Sequence, residues 1–122
     1  MHITREVVLD ADRDEVWNAL IDRDQRADWL EDDRPLQILH ADAGHRLTWR
    51  WTAPDAHGIE STVELELEAT EDGRTRLTVV ERPTAAASCS IESAVIDVQA
   101  WDRRLLGLEL RCLVRAAAPA LV

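Results

Sequence analysis

The stretch AWDRRLLGLELRCLVRA, residues 100–116, decides the fold of this chain. Within this stretch and in the residues just before it, apolar residues recur at steps of three and four, which is the spacing of one face of an α-helix. This apolar stripe comprises Ala94, Val98, Trp101, Leu105, Leu108 and Cys112. The pattern predicts a helix over residues 92–117, about 38 Å long at a rise of about 1.5 Å per residue. A helix of that length crosses a whole small domain, so other elements must cover its apolar face.

The opening segment, ITREVVLDADRDEVWNALIDRDQRADWL at residues 3–30, predicts a strand followed by two short helices. Residues 3–10 alternate in polarity, as a half-buried strand does. Asp12 then stands at a helix N-cap position, and Glu15 follows three residues later in a capping-box arrangement. A second short helix is predicted over residues 24–30.

Four further strands are predicted between the opening and closing segments. Residues 36–41 and 45–52 read as a hairpin. The run STVELELEA at residues 61–69 alternates strictly, and Asp72-Gly73 marks a turn into RTRLTVVE at residues 74–81. The order strand, helices, strands, helix predicts an antiparallel α+β fold with the long helix in the concave face of the sheet.

Composition and charge exclude several classes of function. The chain of 122 residues is 46% apolar and 31% charged, which fits one globular domain over residues 1–122. Its net charge of −10 argues against nucleic acid, since such binders need a basic surface, and disfavours anionic membrane surfaces. No stretch approaches the roughly 20 apolar residues of a membrane span, and MHITREVV carries no apolar signal core. We therefore expect a cytoplasmic protein.

The residues that are missing restrict the chemistry further. Lys, Tyr and Phe are absent, which excludes Schiff-base lysines and tyrosine acids. Cys89 and Cys112 are too few and too far apart for a disulfide framework or a zinc site, and we expect reduced thiols. His40 and His45 form the best-spaced histidine pair but lack a clear third ligand. With no GxSxG, phosphate loop or dinucleotide fingerprint, the sequence predicts no metal and no cofactor.

The order of these segments resembles the START-like helix-grip superfamily, in particular the branch named for the activator of Hsp90 ATPase homologue. The resemblance is carried by VVLDADRDEVWNAL, Trp29, the RLTWRW arm, TRLTVVE and the AWDRRLLGLEL helix. These motifs form an apolar framework and include no catalytic signature. The superfamily includes lipid and hormone carriers, aromatic polyketide cyclases, cochaperone domains and antibiotic-resistance binders. The resemblance therefore implies a fold with a ligand pocket and leaves the activity open.

One segment departs from the family pattern. Family members usually carry a further strand or hairpin between the second helix and the arm that matches HRLTWRW, whereas here only LEDDRPLQILHADAG separates Trp29 from His45. We expect one edge strand to be missing or very short, which leaves about five strands and a more open pocket mouth. An exposed sheet edge invites pairing with a second copy, so we also expect a homodimer.

Seven residues are predicted to line a pocket between the sheet and the C-terminal helix: Trp49, Trp51, Trp101, Leu105, Glu109, Arg5 and Glu81. Tryptophan offers a large flat area with one hydrogen-bond donor, although core packing is an equal alternative for these side chains. Glu109 falls inside the apolar arc of the last helix, with the alternative that it flanks the arc and reaches water. Arg5 and Glu81 face inward by strand alternation, and a buried charge needs a partner. The arginines of the last helix are interpreted as its solvated outer face: Arg103, Arg104, Arg111 and Arg115.

The sequence favours non-covalent binding of a small hydrophobic or aromatic molecule over catalysis. Burial of apolar area at about 25 cal/mol per Å² permits micromolar affinity without a catalytic group. One alternative is a cyclase or hydrolase that uses Glu109 or Glu81 as a base, which requires a cavity of roughly 300 Å³ or more. The other is a chaperone partner or another protein-interaction module, which predicts a filled interior and an exposed apolar patch.

Overall fold

The structure, a computed structural model, describes residues 2–55, 58, 60–84 and 91–117, with side chains of the last range described for residues 98–114. The elements in chain order are β1 (Ile3–Leu9), α1 (Arg13–Ile21), α2 (Arg23–Leu30), β2 (Leu36–Asp42), β3 (Arg46–Trp51), β4 (Ser61–Ala69), β5 (Thr75–Pro83) and α3 (Ile91–Ala117). The predicted α+β class, the two short helices after the first strand and the long final helix are confirmed. Cys89 lies outside the described residues.

The five strands form one antiparallel sheet in the order β1-β5-β4-β3-β2. In its centre, Trp49 lies opposite Val63, and Leu65 lies opposite Val79. Because strand side chains alternate between the two faces, this register gathers the apolar residues on the face that α3 covers. The outer strands are β1 and β2, and β2 is exposed along most of its length. The prediction of five strands is confirmed.

Two aspartates fix the sharp path from β1 through the short helices. Asp12 accepts a hydrogen bond from the Glu15 backbone N–H at 2.9 Å and begins α1. Asp22 accepts from the backbone N–H groups of Asp24 and Gln25, and so begins α2 directly after α1 ends. Each such cap stabilises a helix by about 1 kcal/mol. Together they hold α2 close to α3.

The core lies between the sheet and the helices. Its fully buried large side chains include Trp29, Trp49, Trp51 and Trp101. The indole N–H of Trp29 donates to the Ala19 carbonyl of α1 at 2.8 Å. Gly107 of α3 faces the backbone of Trp29, and a Cβ there would lie 3.6 Å from the Trp29 carbonyl oxygen. This close approach places α2 and the segment after it against the middle of α3.

The solvated arginine face predicted for the last helix is partly wrong. Arg104 is only 9% exposed, because its side chain packs over the rings of Trp51 and Trp101. Arg111 is half-buried and pairs with Asp28 of α2. The outer face of α3 instead exposes apolar side chains, which we call the α3 stripe: Leu106, Leu110, Leu113 and Val114.

Candidate functional site

Three tryptophans from two elements meet beneath α3. Trp49 and Trp51 project inward from β3, and their ring centroids are 5.7 Å apart in an edge-to-face arrangement. Trp101 of α3 packs on Trp51 with a centroid distance of 6.3 Å. All three side chains are fully buried. We call them the tryptophan cluster.

Arginine side chains cover the tryptophan cluster on the side of α2. The Arg34 guanidinium lies 3.9 Å from the Trp51 ring centroid, and that of Arg26 lies 5.9 Å from the Trp49 centroid. The Arg104 guanidinium lies 5.4 Å from the Trp51 ring centroid and 4.9 Å from the Trp101 ring centroid. The negative face of an indole attracts a cation, by about 0.5–2 kcal/mol per contact. These contacts order the segment after α2 above the aromatic rings.

A single carboxylate, Asp32, joins two of these arginines. Asp32 Oδ2 accepts from Arg34 at 2.7 Å and from Arg104 at 2.9 Å, and the three side chains are only 11–13% exposed. Burial would raise the pKa of Asp32, but the hydrogen bonds from Arg34 and the two arginine charges outweigh it and hold this pKa below its usual value. Burial lowers the pKa of the Arg104 guanidinium, against the opposing attraction of Asp32 and Glu81.

Glu81 of β5 is a second buried carboxylate, 8% exposed. The indole N–H of Trp101 donates to its Oε1 at 2.8 Å, and the Ser61 hydroxyl donates to its Oε2. Both carboxylate oxygens therefore have donors from the protein itself. This arrangement fixes the orientation of the Trp101 ring relative to the sheet.

The structure brings five of the seven predicted pocket residues into one layer. Four of them are apolar and buried beneath α3: Trp49, Trp51, Trp101 and Leu105. Glu81 joins them through its hydrogen bond with Trp101. Arg5 lies apart, since it forms a 2.9 Å ion pair with the exposed Asp102. Glu109 is half-buried at the side of α3.

Two donors of the tryptophan cluster lack an acceptor. The indole nitrogens of Trp49 and Trp51 are buried, and no hydrogen-bond partner lies near either among the residues that the structure describes. A buried N–H without a partner costs about 1–3 kcal/mol. The indoles of Trp29 and Trp101, in contrast, donate to Ala19 and Glu81. Two buried donors are thus left for an acceptor supplied from elsewhere.

A cavity of about 490 Å³ lies beside the cluster, between α2, the segment after it and the start of β2. Its lining residues are Arg23, Arg26, Ala27, Leu30, Asp32, Asp33, Arg34, Pro35 and Leu36. Arg26 and Arg34 contribute both to this lining and to the cover over Trp49 and Trp51. We call this space the α2 cavity.

The sequence reasoning missed the residues of the α2 cavity. The available signal was the run EDDRP, which directly follows the second helix. His45 lies in the turn before β3, exposed and 3.2 Å from an Arg13 nitrogen. Within the described ranges, no three His, Cys, Asp or Glu side chains group as a metal site. None of the described helices combines the length and apolarity needed to cross a bilayer.

Comparison with known proteins supports the fold and the branch. The structure matches protein MLL2253 from Mesorhizobium loti with a TM-score of 0.77 at 17% identity, over 97% of this chain and 100% of that one. The Aha1 dimer from Colwellia psychrerythraea matches with a TM-score of 0.73 at 13% identity, over 92% and 96% of the two chains. CalU16 from Micromonospora echinospora matches with a TM-score of 0.71 at 26% identity, over 89% of this chain and 74% of that one. No curated protein sequence matched.

The family assignment rests on a sequence match to residues 33–109, more than half of the chain. The matched region runs from the segment after α2 to the middle of α3, and so contains the tryptophan cluster and Glu81. The predicted START-like helix-grip resemblance and its branch are confirmed by this match and by the structural neighbours. The chain belongs to the family of Activator of Hsp90 ATPase homolog 1-like proteins.

Proposed function

We propose that this protein binds a small hydrophobic or aromatic molecule non-covalently, between the sheet and α3, and that the ligand enters through the α2 cavity. The observation that carries this proposal is the pair of buried indole N–H groups, on Trp49 and Trp51, that have no acceptor among the described residues. The arginines that cover these two rings, Arg26 and Arg34, also line that cavity. A ligand with a carbonyl or ether oxygen would supply the missing acceptor. Its apolar body would replace water against Leu30 and Leu36.

The catalytic alternative has less support. A general base needs a free oxygen within reach of the proton that it abstracts. Both oxygens of Glu81 already accept hydrogen bonds from Trp101 and Ser61. Glu109, the other carboxylate considered as a base, does not line the α2 cavity. Of these two functions, binding without chemistry has the better support.

Titration with N-phenyl-1-naphthylamine (NPN), a neutral aromatic probe that fluoresces in apolar surroundings, tests the binding site. We expect micromolar affinity, because burial of its two ring systems removes a large apolar area from water. Ala27→Phe should weaken binding by at least about tenfold, since the added ring occupies the α2 cavity from an exposed position on α2.

Ala41→Phe is the matched control, because Ala41 is equally exposed but lies on β2 outside the α2 cavity. This variant should bind NPN as the wild type does. Absence of NPN binding, or equal binding by the Ala27→Phe variant, would contradict the proposed site. Native mass spectrometry of protein purified from its own host would then identify the class of any natural ligand.

A second proposed property is homodimerisation through the open edge of the sheet. β2 is an edge strand, and Ile38 and Leu39 on it are 38% and 47% exposed. Pairing of two such edges would bury both side chains and supply partners for unpaired backbone groups. The neighbour from Colwellia psychrerythraea is itself described as a dimer.

Leu39→Lys is expected to weaken this dimer by at least about tenfold, since it places a charge at the proposed interface. Light scattering after size-exclusion chromatography, over a range of protein concentrations, measures the effect. Leu110→Lys is the comparison, because Leu110 belongs to the α3 stripe and is similarly exposed. If Leu110→Lys abolishes the dimer and Leu39→Lys does not, the interface lies on α3 and not on β2.

A further inference from the structure

Two arginines at the start of α2 have no carboxylate partner among the residues that the structure describes. Arg23 forms no ion pair or hydrogen bond with any residue that the structure describes. Arg26 donates to the carbonyl oxygens of Leu20 and Ile21, at 3.0 and 3.4 Å, and makes no ion pair in the same ranges. The chain has 24 acidic and 14 basic residues, so carboxylates are in excess. Both arginines line the α2 cavity.

The surroundings of Arg26 favour an anion. Burial lowers the pKa of its guanidinium, and the charge of Arg23 lowers it further, against a smaller opposing effect of Asp22. A negative group between the two guanidiniums would offset their repulsion and the lost hydration. The backbone N–H groups at the start of α2 are not the donors for such a group, because Asp22 already caps them.

The other charges of the α2 cavity leave this region positive. Asp32 is held by Arg34 and Arg104. Asp33 is exposed at the rim and is the one remaining carboxylate of the lining. The rest of the lining is apolar: Ala27, Leu30, Pro35 and Leu36. The cavity thus combines a cationic side with an apolar side.

We propose that the ligand of the α2 cavity is an amphipathic organic anion, with one carboxylate, sulfonate or phosphate group held by Arg23 and Arg26. This inference rests on the proposed function and names the ligand class. The apolar body lies against Leu30 and Leu36 and extends towards the tryptophan cluster. The volume of about 490 Å³ is in the range of pockets that hold drug-sized molecules.

A matched pair of fluorescent probes separates charge from apolar binding. 8-Anilino-1-naphthalenesulfonate (ANS) has the ring systems of NPN plus one sulfonate. We expect ANS to bind at least about tenfold more tightly than NPN at low ionic strength, and this preference to shrink as sodium chloride screens the charges. Stoichiometry of one probe per chain and an unchanged near-UV circular dichroism spectrum, which reports the packing of the tryptophans, exclude binding to partly unfolded protein.

Arg23→Gln is expected to weaken ANS binding about three- to tenfold and to weaken NPN binding much less, since NPN carries no charge for Arg23 to attract. Arg23 is exposed and pairs with no residue in the described part of the chain, so its replacement should preserve the fold. Arg26→Lys keeps the charge and should retain most of the preference for ANS. Arg82→Gln is the control, because it also removes one positive charge. Arg82 lies on β5, pairs with Glu64 and does not line the α2 cavity.

The possible results distinguish this inference from the proposed function. Equal affinities for ANS and NPN, or tighter binding of NPN, would overturn the anion inference while the proposed binding function stands. An equal loss of ANS affinity with Arg23→Gln and Arg82→Gln would also overturn it, since the effect would then reflect net charge alone. Failure of both probes to bind would count against the inference and the proposed function together.

Discussion

Asp32→Asn is expected to lower the free energy of unfolding by about 3–5 kcal/mol at neutral pH. The carboxylate is the shared partner of Arg34 and Arg104, and all three side chains are nearly buried. Asparagine removes the negative charge that two guanidiniums share over the Trp51 ring, so their mutual repulsion is less well compensated. Removal of one member of a buried ion pair costs more than the pair itself contributes, because the remaining charge has lost its hydration. Urea unfolding followed by tryptophan fluorescence measures the loss.

The effect of Asp32→Asn should depend on pH in a defined direction. The pKa of Asp32 is lower in the folded protein than in the unfolded chain, where a carboxyl titrates near about 4. The ionised carboxylate therefore stabilises the folded state fully above about pH 4, and this contribution is lost as the pH falls through the lower folded pKa. The difference between wild type and variant should shrink below about pH 4.

Asp72→Asn is the control for the effect of Asp32. Asp72 also has a depressed pKa, about 2, because the Thr70 hydroxyl and the Arg74 side chain donate to it. Its ion pair with Arg74 lies in an exposed turn, where water already solvates both charges. We expect a much smaller loss for this variant. Equal losses for the two variants, or a loss with Asp32→Asn that is constant down to pH 3 or so, would contradict the role given to the buried carboxylate.

Local patterns were enough to predict the elements of this fold. The alternation of Val63, Leu65 and Leu67 in β4 reports a sheet with one covered face, and all three side chains are buried. Asp12 could be assigned as a helix cap because its side chain accepts a hydrogen bond from the backbone N–H of Glu15, only three residues later. These features depend on short sequence separations, so a single chain reveals them.

The α2 cavity could not be predicted in this way. Arg104 is adjacent to the apolar stripe of α3, and on a helical wheel it could point to water or to the core. Its burial depends on Asp32, which precedes it by 72 residues and compensates its charge. A periodicity argument contains no information on such a pairing. The structure brings the three tryptophans of the cluster together, but the arginines that cover them come from three separate segments of the chain.

Glu81→Leu is expected to lower the free energy of unfolding by about 2–6 kcal/mol. The carboxylate accepts from the Trp101 indole and the Ser61 hydroxyl, and neither donor has another acceptor among the described residues. Leucine is apolar and of similar size, so the loss comes from two buried donors left without a partner, at about 1–3 kcal/mol each. Chemical denaturation of the variant and the wild type measures it.

Two further variants separate the hydrogen bonds from simple packing. Glu81→Gln should be nearly neutral, because its carbonyl oxygen accepts from Trp101 while its amide donates to the Ser61 oxygen, which accepts as readily as it donates. The double change Glu81→Leu with Ser61→Ala should recover part of the stability, since it removes one of the unpaired donors. If Glu81→Gln lowers the free energy of unfolding as much as Glu81→Leu does, the negative charge of Glu81 beside Arg104 matters more than its hydrogen-bond acceptors.

The same variants connect stability with the proposed binding site. Glu81 holds the Trp101 ring, and Trp101 packs on Trp51 beneath the arginine cover. Under conditions where the variants remain folded, Glu81→Leu should therefore weaken NPN binding, because the ring is free to rotate and the wall of the pocket is less ordered. Glu81→Gln should retain the affinity of the wild type. Unchanged NPN affinity in the folded Glu81→Leu variant would mean that the ligand does not reach the tryptophan cluster and is confined to the α2 cavity.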